Sequence, residues 1–182
     1  MKTIEKPVIH FKVSIVGSSS AGKSSLLSQL QNEMINIHHV PTVGVNTVNN
    51  KITFQDCTVK VEFWDLAGQE VFYNVAPVFY RQTQAIIVVY DLTRPHTTEE
   101  TIKWVKQIVE TNPATFIALV GNKCDVAPLP LMKLLELKHK VSELKTCAHY
   151  LTSAKTGVGV REMFADVILN AVIHDLKSKK DV

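Results

Sequence analysis

The sequence predicts a single α/β domain with a mainly parallel sheet, because short apolar runs alternate with amphipathic helical patterns along the chain. The runs Ala85–Tyr90 and Phe116–Val120 are continuously apolar, as expected for strands that are buried on both faces. With 182 residues, of which 46% are hydrophobic, the chain has the size and composition of one domain with a full core. No internal repeat, low-complexity tract or linker divides it.

The first half of the chain predicts a strand, a helix and a β-hairpin. Phe11–Val16 is strand-like, and the leucines that follow residue 24 have helical spacing to about Glu33. Two alternating runs, Val45–Phe54 and Val59–Trp64, flank a short polar turn and indicate a hairpin.

The second half continues the alternation of strands and helices. Thr97 and Glu100 have the spacing of a capping box that opens a helix. The predicted elements are a strand at Ala85–Asp91, a helix from 97, a strand at Phe116–Asn122, a helix over 130–144, a strand at His149–Thr152 and a last helix with an apolar stripe from Val160 to Val172.

Charge and cysteine content narrow the function classes. The formal net charge is only +3, and no Lys/Arg-rich block is present apart from three lysines near the C-terminus, so we expect no nucleic-acid partner. Cys57, Cys124 and Cys147 lack metal-ligand spacing and are interpreted as reduced thiols, which favours a cytoplasmic protein. The apolar runs are too short to span a bilayer.

Residues 17–24, here called the phosphate loop, read GSSSAGKS and match the pattern GxxxxGK[ST] between a strand and a helix. Glycines let the backbone wrap a polyphosphate with its N–H groups pointing inward, at the positive end of the helix. Lys23 supplies a positive charge for the β- and γ-phosphates, and the Ser24 hydroxyl can ligate Mg²⁺. The nucleotide-binding residues predicted here are Ser20, Ala21, Gly22, Lys23, Ser24 and Ser25.

A second segment with nucleotide chemistry begins at Asp65, directly after a predicted strand. A carboxylate at this place beside a phosphate loop can hold Mg²⁺ through a water. Gly68 lets its N–H approach the γ-phosphate, and the Gln69 amide can orient an attacking water. A DxxG pattern alone is also compatible with an ordinary turn at the end of a strand.

Two further segments predict recognition of guanine. In Asn122-Lys123-Cys124-Asp125 the carboxylate can accept hydrogen bonds from two guanine donors that adenine lacks. Lys123 can lie over the base, and Asn122 can connect this loop to the phosphate loop. A backbone N–H of Ser153-Ala154-Lys155 can donate to the guanine oxygen. The order and spacing of all four segments argue against a chance match.

With these motifs the chain resembles the Ras superfamily of small GTPases, and within it the Rab branch. The matching segments are WDLAGQE at 64–70, APVFYR at 76–81 and IVVYDLT at 87–93, and PTVGV at 41–45 is similar to the Rab5-like subgroup. The resemblance implies one G domain over 8–175, with a six-stranded sheet, five helices, an N-terminal extension of 1–7 and a basic end of 176–182. It also implies that Thr42 joins Ser24 at Mg²⁺ when GTP is bound.

The resemblance further implies a GTP/GDP-switched regulator of vesicular trafficking that meets exchange factors (GEFs), GTPase-activating proteins (GAPs) and effectors. The three arginines are Arg81, Arg94 and Arg161, and none lies in the switch segment before Thr42. That segment therefore supplies no arginine finger, so we expect slow intrinsic hydrolysis that a GAP accelerates by on the order of 10³ to 10⁵-fold.

Two positions depart from the family pattern. Ile35 stands where the family usually carries an aromatic residue against the guanine edge, so we expect weaker nucleotide retention. The aromatic triad that Rab effectors contact is matched by Thr47, Trp64 and Phe79, so one aromatic member is replaced. Partner choice is therefore expected to be unusual.

Membrane attachment is left open by the sequence. Rab proteins end in prenylated cysteines, whereas no cysteine follows Cys147 here, so the tail is either truncated or naturally unlipidated. We expect a cytoplasmic monomer that joins endosomal or vesicle membranes peripherally if its native C-terminus is lipidated.

Two other functions use the same motifs. One is a nucleotide-binding regulatory module with little or no hydrolysis, which Ile35 and Thr47 favour and Gln69 disfavours. The other is a metabolic phosphotransferase, in which Asn122–Asp125 would have no purpose.

Overall fold

The computed structural model describes residues 8–31, 44–53, 58–68, 73–81, 83–126, 131–145 and 148–178. Within these residues it contains six strands and five helices. The strands are β1 Val8–Gly17, β2 Val45–Thr53, β3 Thr58–Leu66, β4 Ala85–Asp91, β5 Phe116–Asn122 and β6 Ala148–Thr152. The helices are α1 Lys23–Leu30, α2 Ala76–Tyr80, α3 His96–Thr111, α4 Leu131–Ser142 and α5 Val160–Ser178.

The strands form one sheet in the order β2-β3-β1-β4-β5-β6. β2 is antiparallel to β3, as the predicted hairpin requires, and every other pair is parallel. The parallel register places Gly17 beside Val89 and Asn122 beside both Asp91 and Thr152. The parallel strands therefore bring the loops that follow them to one edge of the sheet, where ligands bind in open α/β folds. The predicted fold class is confirmed.

Each face of the sheet carries its own apolar core. On one face α1 and α5 cover the sheet, and the rings of Phe63 and Phe164 meet edge to face at 5.2 Å. On the other face α3 buries Trp104, Val105 and Ile108 against alternate residues of β4 and β5. Because both faces are covered, all seven residues of β4 are buried, which explains the continuous apolar run in the sequence.

The predicted capping box of α3 is wrong. The helix begins at His96, one residue earlier, after Pro95 with a helical φ of −56°, and no side chain caps it. The Thr97 hydroxyl instead donates to carbonyl oxygens of the preceding turn, at 2.7 Å to Arg94 and 3.1 Å to Asp91. Proline presets the backbone of the first turn, so the buried Thr97 ties the helix to the end of β4 rather than capping it.

A partly buried hydrogen bond crosses β5 from β4 to β6. The Tyr90 hydroxyl lies 2.6 Å from Nε2 of His149, and a Cβ on Gly121 would come within 2.8 Å of that hydroxyl. A side chain at position 121 would therefore block the path of Tyr90. Burial, with a smaller effect of Lys138, lowers the pKa of His149 to about 4.

We expect acid to destabilise the fold through His149. Its folded pKa of about 4 lies below the ordinary value of 6.5, so the unfolded chain binds more protons between these values. The contribution of the neutral His149 ring to the free energy of unfolding is therefore present above pH 6.5 and is lost as the pH falls toward 4. For this half-buried ring the loss is on the order of 1 kcal/mol, or roughly 2–4 °C in Tm.

Thermal unfolding of the wild type and of His149→Gln at pH 7 and pH 5 measures this loss. The amide can still bond to Tyr90 but does not titrate, so the variant should show a smaller acid shift. Equal shifts in both proteins would refute the assignment to His149.

The structure also bears on the thiols and on membrane spanning. Cys124 is a half-buried free thiol, whereas Cys57 and Cys147 lie outside the described residues. Among the described helices, none is both long enough and apolar enough to cross a bilayer.

Candidate functional site

The phosphate loop joins β1 to α1 and needs its two glycines. Gly17 has a φ of +127°, and a Cβ there would lie 2.0 Å from the Val89 carbonyl oxygen. Gly22 has a φ of +97°, and a Cβ there would lie 2.2 Å from Nδ2 of Asn122. Only glycine fits both the backbone conformation and the space, so the loop can wrap tightly against β4 and β5.

Lys23 is buried at the start of α1, with 6% of its surface exposed. Its ammonium group donates to the carbonyl oxygens of Gly17 at 3.0 Å and Ser18 at 2.9 Å. Burial lowers the pKa of Lys23 to about 8, although the nearby Asp65 carboxylate acts in the opposite direction. A polyphosphate in the loop would add negative charge and favour the charged ammonium form.

Ser24 and Asp65 meet at the mouth of the phosphate loop. The Ser24 hydroxyl donates to Oδ2 of the fully buried Asp65 at 2.5 Å. Gly68 lies against the same loop, since a Cβ on it would come within 2.5 Å of the Lys23 ammonium and 2.6 Å of the Ser19 nitrogen. A hydroxyl and a carboxylate are oxygen ligands of the kind Mg²⁺ prefers, so these residues fit the ion.

Asn122 forms hydrogen bonds to both the phosphate loop and the second base segment. Its Nδ2 donates to the Ala21 carbonyl at 2.8 Å, and its Oδ1 accepts from the Ala154 N–H at 3.0 Å and the Thr152 hydroxyl at 3.3 Å. Asn122 is 1% exposed, and it supplies hydrogen-bond partners to polar groups buried around it. The Ala154 N–H, a predicted donor to guanine, is thus engaged by Asn122 in this structure.

Asp125 is exposed beside the turn at Ser153. The buried Ser153 hydroxyl donates to Oδ1 of Asp125 at 2.6 Å and accepts from the Thr156 N–H at 3.1 Å. One carboxylate oxygen is therefore anchored while the group stays open to a ligand. Lys155 is exposed on the same turn.

Sequence reasoning did not identify Asp91, at the end of β4, as part of the site. Its Oδ2 accepts from the Lys123 ammonium at 2.7 Å and from Nε of Arg94 at 2.8 Å. Lys123 also donates to the Ser20 carbonyl at 2.9 Å, and Arg94 donates through Nη2 to the Ser19 carbonyl at 2.7 Å. We call Asp91, Arg94 and Lys123 the Asp91 cluster.

The Asp91 carboxylate remains charged in this cluster. Burial by itself acts to raise its pKa, but hydrogen bonds from Lys123, Thr93 and Arg94 outweigh burial and hold the pKa at about 2. The signal in the sequence was the position of Asp91 at the carboxyl end of a buried strand, since parallel strands bring these ends to one edge.

The predicted effector residues lie together on the opposite side of the sheet from α1. Thr47 is directly across from Trp64 in the hairpin, and the rings of Trp64 and Phe79 are 5.7 Å apart. The Lys12 ammonium lies 3.9 Å from the centre of the Trp64 ring, a cation–π geometry. Thr47 is exposed and both aromatic rings are half-buried, so the three form one surface.

Three predicted site residues, Ile35, Thr42 and Gln69, lie outside the described residues. The structure therefore brings together the residues of the phosphate loop, Asp65, Gly68 and both base-binding segments. The roles assigned to all of these residues stay predictions.

Comparisons with known proteins agree with this arrangement. The model of the Ras family matches residues 12–173. The chain is 35% identical to "Ras-related protein Rab-5A" of Dictyostelium discoideum over 161 residues, which cover 88% of this chain and 80% of the relative. It is 36% identical to "Ras-related protein RabC" of the same organism over 177 residues, covering 94% of this chain and 88% of the relative. The chain therefore belongs to the Ras family and is a Rab-like small GTPase.

Proposed function

We propose that this GTPase holds GTP across the sheet edge, with the phosphates in the phosphate loop and guanine between Asn122–Asp125 and Ser153–Lys155. The observation that carries the proposal is the bridge made by Asn122, which bonds to Ala21 in the phosphate loop and to Ala154 in the second base segment. Binding of the phosphates or of the base would therefore help to fix the segment that binds the other part of the nucleotide.

In this proposal Lys23 and backbone N–H groups of residues 20–25 bind the phosphates. Ser24 holds Mg²⁺ directly, Asp65 holds it through a water, and Thr42 completes the set when GTP is present. The ion offsets the negative charge of the β- and γ-phosphates. Thr42 and Gly68 tether the two switch segments to the γ-phosphate.

Guanine is selected by the Asp125 carboxylate, which the Ser153 hydroxyl orients at 2.6 Å. The carboxylate accepts from the ring N–H and the exocyclic amine, and adenine offers no such pair of donors. Lys123 packs its stem along the base, and a backbone N–H of Ser153–Lys155 donates to the guanine oxygen.

Hydrolysis proceeds when Gln69 orients a water for in-line attack on the γ-phosphate. We expect Gln69→Leu to slow single-turnover GTP hydrolysis by roughly tenfold or more, because leucine cannot hydrogen-bond the water. Phosphate release from preloaded protein, with and without a GAP, measures the rate. The control is Gln31→Leu, an exposed glutamine just after α1.

An unchanged rate in Gln69→Leu would remove Gln69 from the mechanism. If the wild type binds GTP but releases no phosphate even with a GAP, the chain is instead a nucleotide-binding module without hydrolysis.

Loss of the γ-phosphate releases both switch segments and so changes the surface that partners contact. We propose that effectors of vesicle trafficking bind the GTP form at Thr47, Trp64 and Phe79, that a GEF and a GAP reset it, and that the protein acts as a monomer. We place it in the cytoplasm and, if its native C-terminus is lipidated, peripherally on endosomal or vesicle membranes.

A further inference from the structure

We propose that Arg94 is a positioning residue for GTP hydrolysis, which acts on the oxygen bridging the β- and γ-phosphates through the Ser19–Ser20 peptide group. The proposal rests on the proposed placement of GTP in the phosphate loop. It assigns a role to an arginine that lies outside every nucleotide-binding motif of the chain.

Hydrogen bonds fix the Arg94 guanidinium at two points. Nε donates to Oδ2 of Asp91 at 2.8 Å, and Nη2 donates to the Ser19 carbonyl at 2.7 Å. Asp91 is itself held, because its Oδ1 accepts from the Thr93 N–H at 2.9 Å and the Thr93 hydroxyl at 2.6 Å. The planar fork of arginine suits such a two-point contact, and a lysine could not make both bonds with one fixed geometry.

The position of Arg94 determines which way the next N–H points. In a planar trans peptide, the carbonyl of Ser19 and the N–H of Ser20 point in opposite directions. Arg94 occupies the carbonyl side, so the Ser20 N–H faces away from Arg94. We place the bridging oxygen of GTP on that side.

The backbone at Ser20 needs such support. Its φ of +58° is left-handed, a conformation that is unfavourable for a serine and persists only where neighbours hold it. Arg94 binds the carbonyl before this residue, and Lys123 binds the carbonyl of Ser20 itself at 2.9 Å. The two cations, both paired with Asp91, thus hold two consecutive peptide groups of the phosphate loop.

This arrangement favours the transition state of hydrolysis. As the attacking water bonds to the γ-phosphorus, the bond from that phosphorus to the bridging oxygen breaks, and its electron pair stays on the β-phosphate. The water's proton passes to phosphate or solvent. A hydrogen bond from arginine to the Ser19 carbonyl polarises the peptide and makes the Ser20 N–H a stronger donor to the charge that develops. Arg94 does not itself touch the phosphate.

Single-turnover hydrolysis and nucleotide release test the proposal with Arg94→Ala, Arg94→Lys and the control Arg161→Ala, an exposed residue of α5. Release is followed with fluorescent GDP and with a fluorescent non-hydrolysable GTP analogue. Arg94→Ala removes the hydrogen bond from the charged guanidinium to the Ser19 carbonyl, and we expect this loss to lower the hydrolysis rate by roughly tenfold. We expect release to change less, by about threefold or below, and Arg94→Lys to recover only part of the rate. The control should match the wild type.

A hydrolysis rate within twofold of the wild type in both Arg94 variants would overturn the proposal. So would a variant that releases both nucleotides faster but hydrolyses bound GTP normally, because Arg94 would then only support the loop. Should Arg94→Ala fail to fold, Arg94→Lys carries the same comparison. If the wild type does not hydrolyse GTP, the proposed function is itself wrong. If hydrolysis depends on Gln69 but is unchanged in the Arg94 variants, only the role proposed for Arg94 is wrong.

Discussion

Replacing Asp125 with asparagine is expected to move the base preference of this protein from guanosine to xanthosine triphosphate. The amide oxygen can still accept from the ring N–H of guanine, but the new N–H₂ group would face the exocyclic amine, which is also a donor. The same N–H₂ can donate to the oxygen that xanthine carries in place of the amine. The Ser153 hydroxyl, 2.6 Å from Oδ1, can still anchor the amide oxygen, so the side chain keeps its orientation. We expect GTP affinity to fall by roughly a thousandfold or more.

Competition between the two nucleotides measures this preference, with Asp166→Asn as the control. Asp166 is an exposed aspartate of α5 that accepts a hydrogen bond from the Tyr150 hydroxyl and belongs to neither base segment. The same GTP-to-xanthosine ratio in Asp125→Asn and in the wild type would mean that Asp125 does not read the base.

The second large effect is expected for Asn122→Ala. The substitution removes the bond to Ala21 and leaves a buried carbonyl there and a buried N–H at Ala154 without their partner. We expect the free energy of GDP binding to weaken by about 2–4 kcal/mol, which corresponds to a GDP affinity weakened by roughly 30- to 1000-fold. The reason is that the phosphate loop and the second base segment would no longer be held at a fixed distance.

Equilibrium titration with GDP and the rise of Tm on adding GDP both report this loss. Asn170→Ala is the matched control, because Asn170 makes one local bond, from Nδ2 to the Asp166 carbonyl within α5. A GDP affinity within threefold of the wild type would show that the bridge is dispensable for binding.

The strands and the hairpin could be predicted because their signals are local. β4 and β5 have the predicted bounds, since both faces of each strand are buried and their residues are continuously apolar. The start of α3 could not be predicted from the capping pattern, because Pro95 precedes the first residue of the helix and Thr97 forms a hydrogen bond to the end of β4. Propensity rules describe an isolated helix end, whereas here a buried tertiary contact decides it.

In the candidate site, too, some features follow from local sequence and others depend on tertiary contacts. The phosphate loop and the guanine segments are recognisable from the sequence because their chemistry depends on residues a few positions apart. The Asp91 cluster is not, because Arg94 reaches a carbonyl 75 residues away in the chain, at Ser19. Nothing in the spacing around Arg94 indicates that contact.

By itself the sequence determined the family, the nucleotide and the class of reaction, because short motifs carry backbone geometry and functional groups at fixed spacing. Only the tertiary structure decided that Arg94 and Lys123 share one buried carboxylate, Asp91, and reach the phosphate loop from there. The physical reason is that a parallel sheet brings the ends of distant strands to one edge, where low exposure and direct hydrogen bonds couple side chains that are remote in sequence.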